Sequence, residues 1–195
     1  MKRLFRRKIR TERTVRAYAV LHTASWHALE QANNTESGRF YNCMTSMLFS
    51  AFCLEAFFNH VCEGEIDHWQ MVERCLRPDE KLDLLSTLFG YPIDHGRRPF
   101  QTFGSIFKFR NLVAHARTER LGTEYEEVLA ELEWPTEPEM PQTKWEKVCN
   151  LDMAQRFVDD TKEMLVILGE KAGLEPGHLY LPGTFGWETS TRANR

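Results

Sequence analysis

Residues 39–63 constrain the fold most tightly. Phe40, Met44, Met47, Leu48, Ala51, Leu54, Phe58 and Val61 recur three and four positions apart. That is the period of one helix face and not of a strand. The same spacing predicts helices over 14–32 (Val15, Ala19, Leu21, Ala24, Trp26, Leu29), 78–89 (Leu82, Leu84, Leu85, Leu88), 100–117 and 151–171 (Met153, Phe157, Met164, Leu165, Leu168). Residues 66–76 suit a short helix, and 123–133 an acidic one carrying Glu124, Glu126, Glu127, Glu131 and Glu133. Turn residues separate them. Asn33 to Gly38 form one cluster, Gly90-Tyr91-Pro92 another, and 134–143 contain three prolines. Pro78 suits a first helical turn, with Asp79 and Glu80 at its positive end. No alternating apolar pattern marks a strand. The expected architecture is therefore all-α, an antiparallel helical bundle over residues 14–172. A basic arm (1–13) precedes it, and a Gly/Pro-rich tail (173–195) follows it, extended or disordered.

Charge is distributed unevenly. Residues 1–16 hold eight Lys/Arg and one Glu, whereas the remaining chain holds 17 Lys/Arg against 27 Asp/Glu, a balance of −10. Such an arm can contact phosphates, an anionic membrane or its own acidic body, or can be a solvated start. The charged start lacks the apolar core of a secretory leader, and no apolar run reaches membrane-span length. Five cysteines, odd in number and without a CxxC pair, argue against a disulfide framework or zinc ribbon and for a cytoplasmic setting. Cys43, Cys53 and Cys62 are expected to act as small hydrophobes in the core.

The chemistry-bearing residues lie in the run Phe107 to Arg117, FKFRNLVAHAR. At about 100° per residue, Phe103, Ile106, Phe107, Val113 and Ala114 form one stripe with Arg110 in its middle. Phe109, Leu112 and Ala116 line a neighbouring flank. Gln101, Ser105, Lys108, Asn111 and His115 share a third, polar strip, on which Asn111 and His115 are one turn apart. Arg110 is roughly 140° from His115, so only its length brings it to the same ligand. On the 39–63 helix, Glu55 interrupts the apolar stripe and Asn59 follows one turn later. A carboxylate in one core stripe and a guanidinium in another predict a pairing of Glu55 with Arg110, because either charge buried alone is very costly.

The order LEAFFNH (Leu54 to His60), DEKLDLL (Asp79 to Leu85) and FRNLVAHAR (Phe109 to Arg117) resembles the HEPN superfamily. Its hallmark is an arginine, a polar residue and a histidine after four to six intervening positions, matched here by Arg110, Asn111 and His115. The resemblance implies an up-and-down four-helix bundle with extra short helices that dimerises and brings two motifs to a shared cleft. It also implies a metal-independent endoribonuclease, plausible as a toxin or defence effector, in which the RNA 2′-OH attacks the adjacent phosphorus and leaves a 2′,3′-cyclic phosphate. His115 then serves as general base or acid. Arg110 stabilises charge on the phosphate, and Asn111 orients His115 or contacts RNA. Glu55 and Asn59 support the site, and Lys108 and Arg117 add phosphate contacts. No cofactor or metal is implied; the implied partners are a second copy, RNA and an antitoxin or other protein. One departure stands out. The toxin branch paired with a nucleotidyltransferase antitoxin carries a tyrosine two positions after the histidine, where this chain has Arg117.

Two other readings use the same residues. Arg110, Asn111 and His115 can form a buried network tying helices together, in a catalytically silent dimer that binds a protein or nucleotide. Alternatively, the arm binds nucleic acid while the bundle only dimerises. Exposure of His115 separates the first reading from an active site. His22 and His27, five apart, lack a third ligand at metal spacing.

Overall fold

The computed structural model describes residues 7–122 and 140–191; the acidic segment expected as a helix at 123–133 lies outside them. Among the described residues are seven α-helices and two strands. They are β1 (Arg7–Val15), α1 (Ala17–Asn34), α2 (Arg39–Glu65), α3 (Trp69–Val72), α4 (Pro78–Leu88), α5 (Phe100–Ala114), α6 (Lys144–Val148), α7 (Leu151–Lys171) and β2 (Gly183–Thr191). The chain is thus mostly helical, with every long helix on its expected segment. It divides into two compact units, residues 1–23, 52–93 and 162–195 in the first, and 24–51 and 94–161 in the second.

In the first unit the core is built on the later turns of α2. Cys53, Leu54, Phe57, Phe58, Val61 and Cys62 are buried at three- and four-residue spacing. Tyr18 meets Phe57 edge-on at 5.2 Å, and its carbonyl accepts the Cys53 thiol at 3.3 Å. Burial pushes the Cys62 thiol up to about 11. Both cysteines behave as the small hydrophobes expected. On α4, Pro78 opens the first turn, and the Glu80 carboxylate accepts the Arg77 backbone N–H at 2.7 Å. The helix ends at Gly90, whose φ of +57° suits a residue without Cβ. Lys81 is buried; its ammonium donates to Asn59 Oδ1 at 2.8 Å and lies 5.7 Å from the Trp69 ring centre.

The two ends of the chain depart from expectation. The arm and the tail, read as separate non-strand segments, form one antiparallel ribbon running from the pair Arg7/Thr191 to Val15/Gly183. Gly183 is required there, because a Cβ would come within 1.8 Å of the Thr14 carbonyl oxygen. Neither segment alternates apolar with polar residues over its length, and each partner is some 170 residues away. A pairing that distant leaves no local pattern to read.

In the second unit, small residues let α1 and α2 approach. The Ser25 hydroxyl donates to the Ser46 carbonyl at 2.8 Å and lies 2.9 Å from Ser50 Oγ. The short helix α6, not anticipated from sequence, is closed by a reciprocal cap. Glu146 accepts the Thr143 N–H at 2.7 Å, and the Thr143 hydroxyl accepts the Glu146 N–H at 3.3 Å. Cys149 donates its thiol to the Phe40 carbonyl, and burial pushes that thiol up to about 12. The strongest polar feature is Asp160 on α7, fully buried. Its carboxylate accepts hydrogen bonds from Arg98 Nε at 2.8 Å and Nη2 at 2.7 Å, and from the Thr102 hydroxyl. Arg156 Nε is 3.7 Å from the carboxylate and 2.9 Å from Thr102 Oγ1.

Asp160→Ala is expected to destabilise the protein by about 3 kcal/mol, the equivalent of two charge-assisted hydrogen bonds, measured by urea unfolding. A second expectation concerns pH. Burial holds the pKa of His22 and of His60 below the ordinary 6.5, helped by the charges of Lys162 and Arg16 respectively. Below pH 6.5 the unfolded chain therefore binds protons first, and stability falls as pH drops. His22→Gln should flatten the pH dependence of unfolding between neutrality and about pH 5; an unchanged slope counts against this assignment.

Candidate functional site

Helix α5 carries the motif residues. Its inner face follows the aromatic spacing: Phe103, Ile106, Phe107 and Phe109 are buried. Phe103 and Phe107 stack 4.8 Å apart, and Phe109 meets Phe157 of α7 edge-on at 6.2 Å. The start of α5 is tied to α7 by the Asp160 cluster and by Arg156 Nη2, which donates to Gln101 Oε1 at 3.1 Å. Packing of one face fixes which way the other face points.

That other face is the polar strip. Gln101, Ser105, Lys108, Asn111 and His115 are all exposed. From Gln101 to His115 the strip runs about 21 Å at 1.5 Å per residue. Arg110 lies within the aromatic face, near the end of the helix. It is half-buried, with its guanidinium carbon 5.5 Å from the Phe107 ring centre, so the long stem packs while the charge reaches the edge of the aromatic stripe.

The helix stops sooner than the sequence implied. The expected span was 100–117, but regular helix ends at Ala114 and His115 is its C-cap, with φ −110° and ψ 14°. The His115 N–H still bonds the Asn111 carbonyl at 3.0 Å, so the two remain one turn apart. Residues 114–117 are exposed. A further turn there has no apolar face to bury, and short helical turns persist only where packing offsets their ordering. Arg117 consequently lies in exposed non-helical chain.

Lys108, Asn111 and His115 are exposed along the last turns of α5, and Arg110 is half-buried on its apolar side. Glu55 and Asn59 lie on α2 in the first unit, where the Asn59 oxygen is engaged by Lys81. Glu55 and Arg110 each have interaction partners, so neither is an isolated charge. Arg98, Arg156 and Asp160 were not anticipated. The signal was an aspartate inside the apolar row of α7, between Phe157 and Met164, which demands a buried cation nearby. His22 packs on Tyr180 at 5.1 Å and His27 approaches Glu30 at 3.5 Å. Among the described residues no group of three His, Cys, Asp or Glu converges as a metal site.

Comparison of the chain with protein-family models, curated proteins and solved structures gives no match.

Since Asn111 and His115 bear little of the packing, Asn111→Ala and His115→Ala should leave unfolding free energy within ~0.5 kcal/mol of the parent. Arg110→Ala should cost about 1–2 kcal/mol through its lost contact with Phe107. Chemical denaturation of the three variants checks both expectations. Unfolding of the His115 variant would make the residue structural.

Proposed function

We propose that this chain is a metal-independent endoribonuclease of the HEPN type, acting as a homodimer. The observation that carries the reading is the exposure of His115, one turn from exposed Asn111 and close in sequence to half-buried Arg110. A polar trio that served only to knit helices together would be sealed from solvent. The long helices α1, α2, α5 and α7 are those a four-helix bundle of this type requires.

In the proposed reaction a 2′-OH attacks the adjacent phosphorus. The O2′–P bond forms and the P–O5′ bond breaks, giving a 2′,3′-cyclic phosphate and a free 5′-OH. One His115 imidazole accepts the 2′-OH proton and an imidazolium supplies a proton to O5′, a division of labour suited to two copies of the motif. Arg110 offers its guanidinium fork to the phosphate oxygens as charge accumulates. Asn111, within side-chain reach of His115, orients the ring. Lys108, exposed on the same strip, holds the flanking phosphate; Arg117, in exposed chain beyond the helix end, is a weaker contributor to affinity.

A second reading, a catalytically silent dimer that binds a partner protein such as an antitoxin, or a nucleotide, draws on Arg110. Its guanidinium already packs on Phe107, so part of its role is structural.

Cleavage of RNA in EDTA separates the two. Cyclic-phosphate ends should accumulate with the parent, and His115→Ala should lower the rate roughly 10²–10⁴-fold. Arg110→Lys keeps the charge but not the fork and should remain impaired. Excess His115→Ala protein mixed with the parent should suppress the parent's activity, because the shared cleft uses a His115 from each copy. Absence of cleavage of any RNA by folded parent, or cleavage indifferent to His115→Ala, would reject the ribonuclease reading.

A further inference from the structure

The β1–β2 ribbon carries a face whose aromatic rings are exposed among the described residues. In an antiparallel pair, residues directly opposite share a face. Trp187 stands opposite Thr11, Phe185 opposite Arg13, and Ile9 opposite Thr189. One face therefore carries Ile9, Arg13, Val15, Phe185 and Trp187. Phe185 is 66% and Trp187 65% exposed, with Ile9 at 65% and Val15 at 52%. Two large rings left this open are costly in water and mark a contact surface. Two positions apart on one strand, the rings are about 7 Å from each other. Each can take one flat partner.

The charge around the rings selects the partner. The first sixteen residues hold eight Lys/Arg and one Glu, while the rest of the chain carries −10. Arg13 is the cross-strand neighbour of Phe185. Arg10 belongs to the other face, where it is ion-paired with Glu12; these two, with Gly186 and an edge of Trp187, line a recess of about 270 Å³ on the ribbon. Gly186 has nothing within 4 Å of where a Cβ would stand, so no side chain fills that place. A second copy laid on the same face would set two strongly basic arms against each other. A polyanion is attracted to this part of the chain and repelled by the rest.

We propose that the ribbon is a binding platform for single-stranded RNA, with Phe185 and Trp187 stacking successive bases while Arg13, on the same face, meets the phosphate between them. Aromatic side chains within a basic surface are how single strands are held without sequence preference. The choice of RNA as the strand rests on the ribonuclease reading; the platform itself is a separate site from Arg110, Asn111 and His115.

The test uses the full chain and a fluorescein-labelled oligouridylate of about a dozen nucleotides, a length that spans a single-strand site. Phe185→Ala and Trp187→Ala should each weaken binding at least about tenfold, because the rings are exposed and their loss spares the fold. Arg13→Ala should lower the slope of log affinity against log salt, and Arg10→Ala, on the other face, should change it less. His115→Ala should bind as the parent does. The dinucleotide UpA has no flanking bases left for the rings once its one phosphodiester is at His115, and should be cleaved equally by parent and ring variants. Oligouridylate binding without any cleavage would keep the platform and reject the ribonuclease. Unchanged binding in both ring variants would overturn the platform, whatever the cleavage result. Weakened self-association of the ring variants in ultracentrifugation, with RNA affinity intact, would likewise overturn it and make the face an interface between copies.

Discussion

The carboxylate of Asp160 is the constraint on which the motif helix depends. It is fully buried, and an ionised carboxylate inside a protein is tolerated only when its charge is matched and its lone pairs are occupied. Arg98 matches the charge with two donors, Thr102 supplies a hydroxyl, and Arg156 stands behind both. Thr102 lies in the first turn of α5 and Asp160 near the middle of α7. The beginning of α5 is thereby fixed against α7 in rotation as well as in position. Phe109 against Phe157 extends the same contact further along.

Once that rotation is set, the composition of α5 determines the rest. Its phenylalanines and Ile106 occupy the inner face, so residues about a third of a turn away must face water. Lys108, Asn111 and His115 are on that side because of spacing alone. Arg110 falls within the apolar stripe, half-buried, with its guanidinium against the Phe107 ring. One helix thus supplies both anchorage and a line of groups suited to phosphate. The anchoring cations Arg98 and Arg156 gather near one end, and His115 stands at the other.

The ribbon works by a different principle. Its two strands come from opposite ends of the chain and gain regular hydrogen bonding, yet one face is left with two open aromatic rings. The arm's positive charge and the tail's rings are unremarkable while considered apart. Side by side they make an amphipathic surface with cations next to flat apolar groups.

Helix positions were legible in the chain because their apolar periods are local: Phe57 and Phe58, Leu82 and Leu85, Phe103 and Phe107 announce their elements from a few neighbours. The polar strip of α5 was legible for the same reason. The fate of the cysteines at 43, 53 and 62 followed from their place in an apolar stripe. Other features depend on partners remote in sequence. Nothing near Asp160 indicates that Arg98, sixty-two positions earlier, will meet it, although an aspartate in an apolar row states that some cation must. Nothing in the arm names the tail as its strand partner. The end of α5 was misjudged because helix-forming residues continue past Ala114, whereas their exposure removes the packing that would hold another turn. By itself the sequence determined which segments coil and which face of each is apolar, since both follow from residue spacing. Tertiary structure decided which buried charges pair, where the helix at His115 stops, and that the two termini form one surface, because each depends on free energy gained only when distant segments meet.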